Sequence, residues 1–200
     1  MNNTLVSLFP SILQITHYDY LITKELKYLS KIKYSKNLAN NNYQSDDTYI
    51  LDNKNLSEIK KFCQNSLDSY TEKIIKTKQK LCITQSWINR NPKNTSHHQH
   101  MHPNSILSGV FFFNCVDESP PIFFKKTVQE RFEFDMDSYD LLNSSSFAIK
   151  PILKQLLIFP SSLQHHVPIN TVKSERVSLS FNTFADRIGS KKHLTFLNIR

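Results

Sequence analysis

Glycine is scarce in this sequence, whose 200 residues include two glycines, Gly109 and Gly189. An average composition, at about 7% glycine, would give roughly fourteen. Two glycines are too few to form a glycine-rich phosphate-binding loop. Neither the G-x-G-x-x-G motif nor the G-x-x-x-x-G-K motif followed by Ser or Thr occurs. The composition therefore argues against dinucleotide-binding and P-loop proteins, and also against collagen-like chains and flexible Gly/Ser linkers.

Cysteine and leader-like sequence are also sparse. The three cysteines, Cys63, Cys82 and Cys115, are odd in number, widely spaced and without a C-x-x-C pair, which argues against a disulfide framework and a zinc ribbon. Residues 1–16 lack a basic segment, and Pro10 interrupts their only apolar run, so we expect neither a signal peptide nor a membrane span. These absences predict a cytoplasmic protein with no membrane partner.

Positive charge exceeds negative charge, with 25 Lys and Arg against 17 Asp and Glu, a formal net charge of +8. Such a balance favours anionic partners such as nucleic acid or an anionic cofactor. The lysines, however, are dispersed along a chain rich in Lys, Asn and Ile, whereas a nucleic-acid-binding module needs basic and aromatic residues clustered on one surface. A general compositional bias is therefore the better interpretation of the charge.

Helix-like segments come first in the chain and strand-like segments follow. Apolar residues recur at helical spacing in residues 24–33 and 56–75, with a short strand predicted at 48–51. Strands are then predicted at residues 81–89, 105–115, 121–124, 131–134, 146–150, 155–159, 166–170, 176–184 and 193–199. The long apolar run of 105–115 indicates burial on both faces. This order predicts an α+β fold in which helices support a β-barrel or jelly roll.

Four of the eight histidines lie in residues 97–102, directly before Pro103. Alternate side chains of an extended segment share a face, so His98, His100 and His102 would lie together, opposite His97. Neutral imidazoles on one face can bind a first-row transition metal. A second histidine pair, at residues 165–166, follows another strand-like segment and a turn.

Polar and apolar residues alternate in residues 176–182. Val177, Leu179 and Phe181 form the apolar face, and Arg176, Ser178, Ser180 and Asn182 form the polar face. If the apolar face packs on the helices, the polar face points into the barrel. A buried arginine there would need an anionic partner, and its planar fork suits a carboxylate. The alternative is that Arg176 pairs with an Asp or Glu on an exposed face.

Four blocks of this sequence, in this order, resemble the iron(II)- and 2-oxoglutarate (2OG)-dependent oxygenases. They are S-W-x-N at 86–89, H-P-N-S-x-L-S-G-V at 102–110, F-P-S-x-L-x-H-x-V at 159–167 and R-V-S-L-S-F-N at 176–182. More narrowly, the chain resembles a 2OG-Fe(II) oxygenase family of marine bacteria and their phages. The resemblance implies a double-stranded β-helix, an α+β jelly roll of the cupin type. It also implies one domain, with a helical support region at 1–80, a jelly-roll core at 81–185 and a C-terminal extension at 186–200.

The metal site that the resemblance implies departs from the usual pattern in one ligand. The superfamily uses H-x-D or H-x-E with a distal histidine, but no carboxylate stands at the expected place here. The matching positions imply that His100, His102 and His165 are the catalytic iron(II) ligands. Three variants stay open: a His98 and His100 pair, His166 in place of His165, or a remote carboxylate from Asp117 or Asp135. Three neutral ligands should strengthen binding of the dianionic 2OG and weaken iron retention.

The resemblance also implies the cofactors and the reaction. Arg176 would bind the distal carboxylate of 2OG with help from Ser178 and Asn89, and ascorbate is a candidate reductant. The implied activity is a dioxygenase reaction, a hydroxylation coupled to oxidative decarboxylation of 2OG to succinate. Prolyl or other protein residues are the favoured substrate, protein or small molecule is favoured over nucleic acid, and a homodimer is a candidate assembly.

Two other functions compete with this one. The first is a metal-binding cupin-like protein without oxygenase activity, for example with zinc on the same histidines, because barrel scaffolds serve many functions. A zinc site would have no need of Arg176 with Ser178. The second is an oxygenase that acts on nucleic acid, which the positive charge leaves open.

Gly109 lies inside a predicted strand, seven residues after His102. A glycine within a strand often marks a close approach of another group. We therefore predict that Gly109 makes room beside the cofactor pocket, and that Gly109→Val damages activity more than folding.

Overall fold

The computed structural model describes residues 3–126, 135–189, 192 and 196–199. The α-helices are α1 (Thr23–Leu29) and α2 (Ser57–Tyr70), and α2 continues into a π-helical turn at Thr71–Ile75. Short 3-10 turns at Ile50–Asp52 and Lys54–Leu56 precede α2. The strands are β1 (Gln14–His17), β2 (Tyr34–Lys36), β3 (Tyr43–Ser45), β4 (Leu81–Asn91), β5 (His97–His100), β6 (Leu107–Asn114), β7 (Ile122–Lys125), β8 (Ser146–Ile149), β9 (Gln155–Pro160), β10 (Gln164–Val167), β11 (Arg176–Ala185), β12 (Arg187–Ile188) and β13 (Leu197–Asn198).

Two antiparallel sheets form the body of the fold. The larger sheet runs β1-β9-β6-β11-β4-β3-β2 and the smaller one runs β5-β10-β7-β8. One hydrophobic cluster lies between the sheets and joins Val110, Phe112 and Phe159 of the larger sheet to Phe124 and Val167 of the smaller one. This arrangement confirms the predicted α+β jelly roll.

A second hydrophobic cluster joins the other face of the larger sheet to the helices. Phe111 and Phe113 of β6 pack there with Ile59, Cys63 and Leu67 of α2. Because neighbouring residues of a strand point to opposite faces, β6 is buried on both sides, as its unbroken apolar run predicts. The helices therefore cover one face of the sheet and leave the other for the interior of the barrel.

The alternation of β11 sets the polarity of that interior. Leu179 and Phe181 lie in the helix-side cluster, and Val177 packs against it. Arg176 and Ser178 therefore point away from the helices and towards the smaller sheet. The predicted orientation of this strand is confirmed.

Some predicted elements differ from the structure. The strand predicted at 48–51 is reduced to one isolated β-bridge between Tyr49 and Ser86, because the chain turns into the 3-10 segment at Ile50, where the amide of Leu51 donates to the Ser86 hydroxyl at 3.0 Å. The predicted strand at 166–170 lies earlier, as β10, and the C-terminal one at 193–199 is described only as β13. The predicted strand at 131–134 lies outside the described residues. Residues 1–80 also add β1, β2 and β3 to the larger sheet, and the proposed domain division stays a prediction.

Gly109 makes room for a core side chain and not for a cofactor. It lies opposite Phe181 in the β6–β11 pairing, and a Cβ atom at this position would overlap the Phe181 ring. Phe181 belongs to the helix-side cluster, on the opposite face of the sheet from Arg176. The prediction that Gly109 borders the cofactor pocket is therefore wrong.

No helix among the described residues has the length and apolar character needed to cross a bilayer.

Candidate active site

Polar side chains from both sheets meet in one cleft between them. The lining residues are Trp87, Asn89, Asn91, His97, His100, His102, Val110, Ile122, His165, His166, Val167, Arg176, Ser178 and Ser180. No Asp or Glu is among these lining residues, whereas histidine is the most frequent type. The cleft therefore has a positive and neutral lining that suits an anionic ligand.

Three histidines predicted as metal ligands lie together at one end of this cleft. His100 ends β5, His102 follows it in the next turn, and His165 of β10 lies opposite His100 in the sheet. One ring nitrogen of each lies within 4.8 Å of the others. The His102 and His165 rings are stacked with their Nε2 atoms 3.3 Å apart. A single cation could be bound by all three side chains.

The hydrogen bonds of these rings leave nitrogens free for a metal. Nδ1 of His100 lies 2.8 Å from the His98 carbonyl oxygen, and Nδ1 of His165 lies 2.9 Å from that of Leu163. A carbonyl oxygen only accepts, so both Nδ1 atoms carry the proton and both Nε2 atoms present a lone pair. The side chain of His102 is bonded to Asn182. Such outer partners typically orient metal-binding histidines.

Burial keeps the three imidazoles neutral. It lowers the pKa of His165 to about 3 and that of His102 to about 4, and it also lowers the pKa of His100. The neighbouring histidines lower these pKa values further, because two adjacent imidazolium ions would repel each other. Neutral imidazole is the form that binds metal ions, so the cluster is ready to bind one at neutral pH.

Arg176 lies in the same cleft, buried and without an acidic partner in the described part of the chain. It is 2% exposed, and burial lowers its pKa to about 10. Its Nη1 donates to the Ser178 hydroxyl at 3.4 Å, its Nε has no partner, and its Cζ lies 4.9 Å from the centre of the Phe112 ring. Neither Lys60–Asp52 nor Arg90–Glu175, two ion pairs seen among the described residues, involves Arg176. The alternative of an exposed ion pair is therefore wrong, and within the described residues the guanidinium has no anion to balance its charge.

Asn89 and Ser178, the other predicted 2OG-binding residues, face each other across the β4–β11 pairing. The Asn89 amide donates to the Ser180 hydroxyl at 3.0 Å, and its Oδ1 is buried without a partner. Both residues line the cleft beside Arg176.

The three alternative ligand sets are not assembled. His98 is exposed and does not line the cleft, and its Nδ1 lies 2.9 Å from the amide nitrogen of Asn40. The His166 ring stacks on Phe123. In the described part of the chain, the group of metal-ligating side chains close enough to share an ion is His100, His102 and His165, and it includes neither Asp117 nor Asp135.

The prediction that His98 shares a face with His100 and His102 is wrong, and His97 lines the cleft instead. The cause is a β-bulge: His165 lies opposite His100 and Val167 lies opposite His97, so β5 advances three residues where β10 advances two. The extra residue reverses the alternation and turns His97 inward. Nothing in the residue pattern of 97–102 signals a bulge, so sequence analysis missed His97.

Residues 85–182 match the sequence profile of a family described as putative 2OG-Fe(II) oxygenase. The chain belongs, through this segment, to the 2OG-Fe(II) oxygenases. It is a 2OG-dependent oxygenase and hence an oxidoreductase. The matched segment reaches from β4 to β11 and contains all six residues predicted for the site. No curated protein matches the chain.

Solved structures of 2OG-Fe(II) oxygenases share the fold at low sequence identity. HygX from Streptomyces hygroscopicus, with nickel and 2OG bound, is 7% identical with a TM-score of 0.61 over 86% of this chain and 82% of that one. A Pseudomonas putida prolyl-4-hydroxylase is 9% identical with a TM-score of 0.57 over 85% and 91%. A Trichoplax adhaerens prolyl hydroxylase, in complex with a hypoxia inducible factor peptide fragment, is 16% identical with a TM-score of 0.57 over 86% and 83%.

Proposed function

We propose that this oxygenase holds iron(II) with His100, His102 and His165, and binds the distal carboxylate of 2OG with Arg176. The observation that carries the proposal is the buried Arg176, which pairs with no Asp or Glu of the described ranges and shares a cleft with three neutral imidazoles. A metal-binding cupin-like protein without a co-substrate would give this charge no counterion. The guanidinium therefore favours the oxygenase over that alternative.

The residues of the cleft fit both cofactors. Three imidazole nitrogens on one side of a metal ion leave positions open for further ligands. When bound, iron(II) and 2OG supply an oxidation in which one oxygen atom of O2 enters succinate, the other enters the substrate as a hydroxyl group, and CO2 leaves. The proposed product is thus a hydroxylated substrate whose oxidation is balanced by the decarboxylation of 2OG.

The protein's own residues position the reactants. Carbonyl oxygens at His98 and Leu163 fix the ring orientation of His100 and His165. Arg176 would orient 2OG through the carboxylate farthest from the metal, since a guanidinium binds a carboxylate in a fixed plane. The apolar wall of the cleft includes Val110, Ile122 and Val167, which exclude water from the reacting centre.

The all-histidine ligand set changes the charge of the site. Three neutral ligands leave the full double charge of the metal ion, whereas a carboxylate ligand would cancel part of it. Because of that difference, we expect the metal ion to attract the 2OG dianion more strongly and the protein to retain iron less tightly. The stronger attraction for the dianion is the effect that fits the presence of the buried Arg176 in the same cleft.

The favoured substrate is a prolyl or other protein residue, with a small molecule as the next candidate. The similar folds of a prolyl-4-hydroxylase and of a prolyl hydroxylase bound to a peptide support the first. HygX, which has a structure with hygromycin B bound, supports the second. A homodimer and a cytoplasmic location stay predictions.

The function is tested by adding iron(II) and 2OG to the purified protein without oxygen. A weak visible charge-transfer band should appear, and oxygen should then yield succinate. Tight zinc binding with neither 2OG binding nor succinate formation would overturn the proposal. Peptide and small-molecule libraries can then be screened for a rise in succinate yield.

Removing one proposed ligand gives a separate prediction. His102→Ala should weaken Ni(II) or Fe(II) binding by about a hundredfold, because one of the three bonds from the protein to the metal ion is lost. Titration calorimetry with Ni(II) measures the change. His166→Ala is the matched control, since His166 neighbours His165 but stacks on Phe123 outside the ligand group. Full metal affinity in His102→Ala would mean that His102 is not a ligand.

Asn40 should act on the metal site from outside it. Its buried side chain accepts from the His98 amide at 2.9 Å and contacts His98 Nδ1 at 2.9 Å, which anchors the strand that presents His100. Asn40→Ala should lower Ni(II) affinity by about tenfold, the usual size of an outer-partner effect. Asn55→Ala, which removes a side-chain hydrogen bond to Asn53, should leave the affinity unchanged. Equal affinities in the two variants would contradict the prediction.

A further inference from the structure

A fourth histidine, His97, faces the cleft without belonging to the proposed ligand group. The bulge in β5 brings it to the same side as His100, and the two ring centres are 4.7 Å apart. His97 is nevertheless absent from the set whose nitrogens lie close enough to share one metal ion. β-bulges are often found beside active sites, where they redirect a side chain. Its inward position therefore calls for a role other than metal binding.

The hydrogen bonding of His97 defines which nitrogen carries its proton. The Asn42 side chain is fully buried, and its Nδ2 lies 3.3 Å from His97 Nδ1. With the Asn42 amide in this orientation its nitrogen donates, so Nδ1 accepts and the ring proton is on Nε2. Nε2 lies on the opposite side of the ring from Asn42, and no hydrogen bond joins it to another described residue. His97 thus offers the cleft an unused N–H donor.

The place of His97 within the cleft identifies the group it would meet. The bulge of β5 separates it from the proposed ligand His100, and it is close enough to Arg176 for the positive charge of the guanidinium to lower its pKa. Two amide groups on this wall already donate within the chain, since Asn89 donates to the Ser180 hydroxyl and Asn91 donates to the Ser96 carbonyl oxygen. A carboxylate has two oxygens, and a guanidinium that approaches from one side leaves acceptor capacity on the other.

We propose that His97 Nε2–H donates a hydrogen bond to the distal carboxylate of 2OG, which Arg176 binds at the same time. The inference rests on the proposed function, because it assumes that 2OG occupies the cleft. It adds to the site a co-substrate-binding residue that acts on the carboxylate farthest from the metal. Together with Arg176, His97 favours 2OG over 2-oxo acids of similar length that end in a methyl group.

Binding of two 2-oxo acids tests this role without turnover. The protein is loaded with Ni(II), and calorimetry compares 2OG with 2-oxopentanoate, which has the same chain length and no distal carboxylate. His97→Phe, which keeps an aromatic ring but removes the donor, should weaken 2OG binding by about tenfold, the size expected for one hydrogen bond to a charged group. It should leave 2-oxopentanoate binding unchanged. His97→Gln is the matched control, because its amide nitrogen can reach the position of Nε2 and should retain most of the 2OG affinity.

Each outcome separates the two proposals. If the wild-type protein binds Ni(II) but not 2OG, both the proposed function and this role fail. If the wild-type protein binds 2OG and His97→Phe binds it equally well, the role of His97 is overturned and the proposed function stands. Equal weakening of both acids would also overturn it, because the loss would then lie at the metal end. Circular dichroism and Ni(II) stoichiometry check the fold, and His97→Leu replaces the Phe variant if that variant does not fold.

Discussion

Arg176→Met should abolish measurable 2OG binding and leave the protein at least as stable as the wild type. Breaking a buried charge pair typically costs about 4 kcal/mol, equivalent to roughly a thousandfold in affinity. In the absence of 2OG, however, Arg176 is a 2%-exposed cation with no acidic partner among the described residues. Its removal relieves a desolvation cost, so the free energy of unfolding should stay unchanged or rise. Loss of function without loss of stability is the expected result for a residue that serves a ligand.

Calorimetry on the Ni(II)-loaded protein measures the binding, and urea denaturation of the ligand-free protein measures the stability. Arg90→Met is the matched control, because Arg90 also belongs to the larger sheet but donates to Glu175 at 2.7 Å. It should retain 2OG binding and lose about 1 kcal/mol at most, as expected for a partly exposed ion pair. If Arg176→Met unfolds more easily than Arg90→Met and still binds 2OG, the arginine is structural.

The period of two in β-strands accounts for what the sequence predicts well. In β11 the alternation of residues 176–182 identifies the helix-side face, and hence the inward position of Arg176, without any knowledge of its neighbours. The same rule also predicts the double burial of β6 from its apolar run. Such strands can be interpreted from local pattern because both faces are in contact with protein, and each side chain must suit its face.

The same rule fails in β5, where the extra residue of the bulge places His97 in the cleft in place of His98. A bulge depends on the register with a partner strand some 65 residues away, and no local pattern encodes that register. The anchoring of β5 by Asn40 and Asn42 is equally non-local, since these residues belong to the asparagine-rich turn between β2 and β3. The resemblance to the oxygenases identifies the candidate ligands in the sequence. The residues that surround them depend on contacts between distant parts of the chain, which the sequence pattern does not encode.

Gly109→Val should destabilise the fold and spare the site. Valine favours strands, so an open position would gain from the change. Here, however, the added side chain would occupy the space of the Phe181 ring, which is fully buried beneath α2. Overpacking in a dense core and the displacement of a large ring should together cost about 3 kcal/mol, a large share of the 5–15 kcal/mol by which a typical domain is stable. Urea denaturation measures the loss.

A double-mutant cycle separates this steric cause from a general loss of strand order. Phe181→Ala alone should cost about 3–5 kcal/mol, because it leaves a cavity. With Phe181 shortened, the valine at 109 no longer meets a ring and partly fills that cavity, so the double variant should be more stable than the sum of the single losses by about 2 kcal/mol. The folded fraction of Gly109→Val should still bind 2OG with wild-type affinity, since Gly109 is absent from the lining of the cleft. If the two stability losses simply add, a clash with Phe181 is not the cause. If folded Gly109→Val binds 2OG more weakly than the wild type, Gly109 borders the cofactor pocket, and its assignment to the core is wrong.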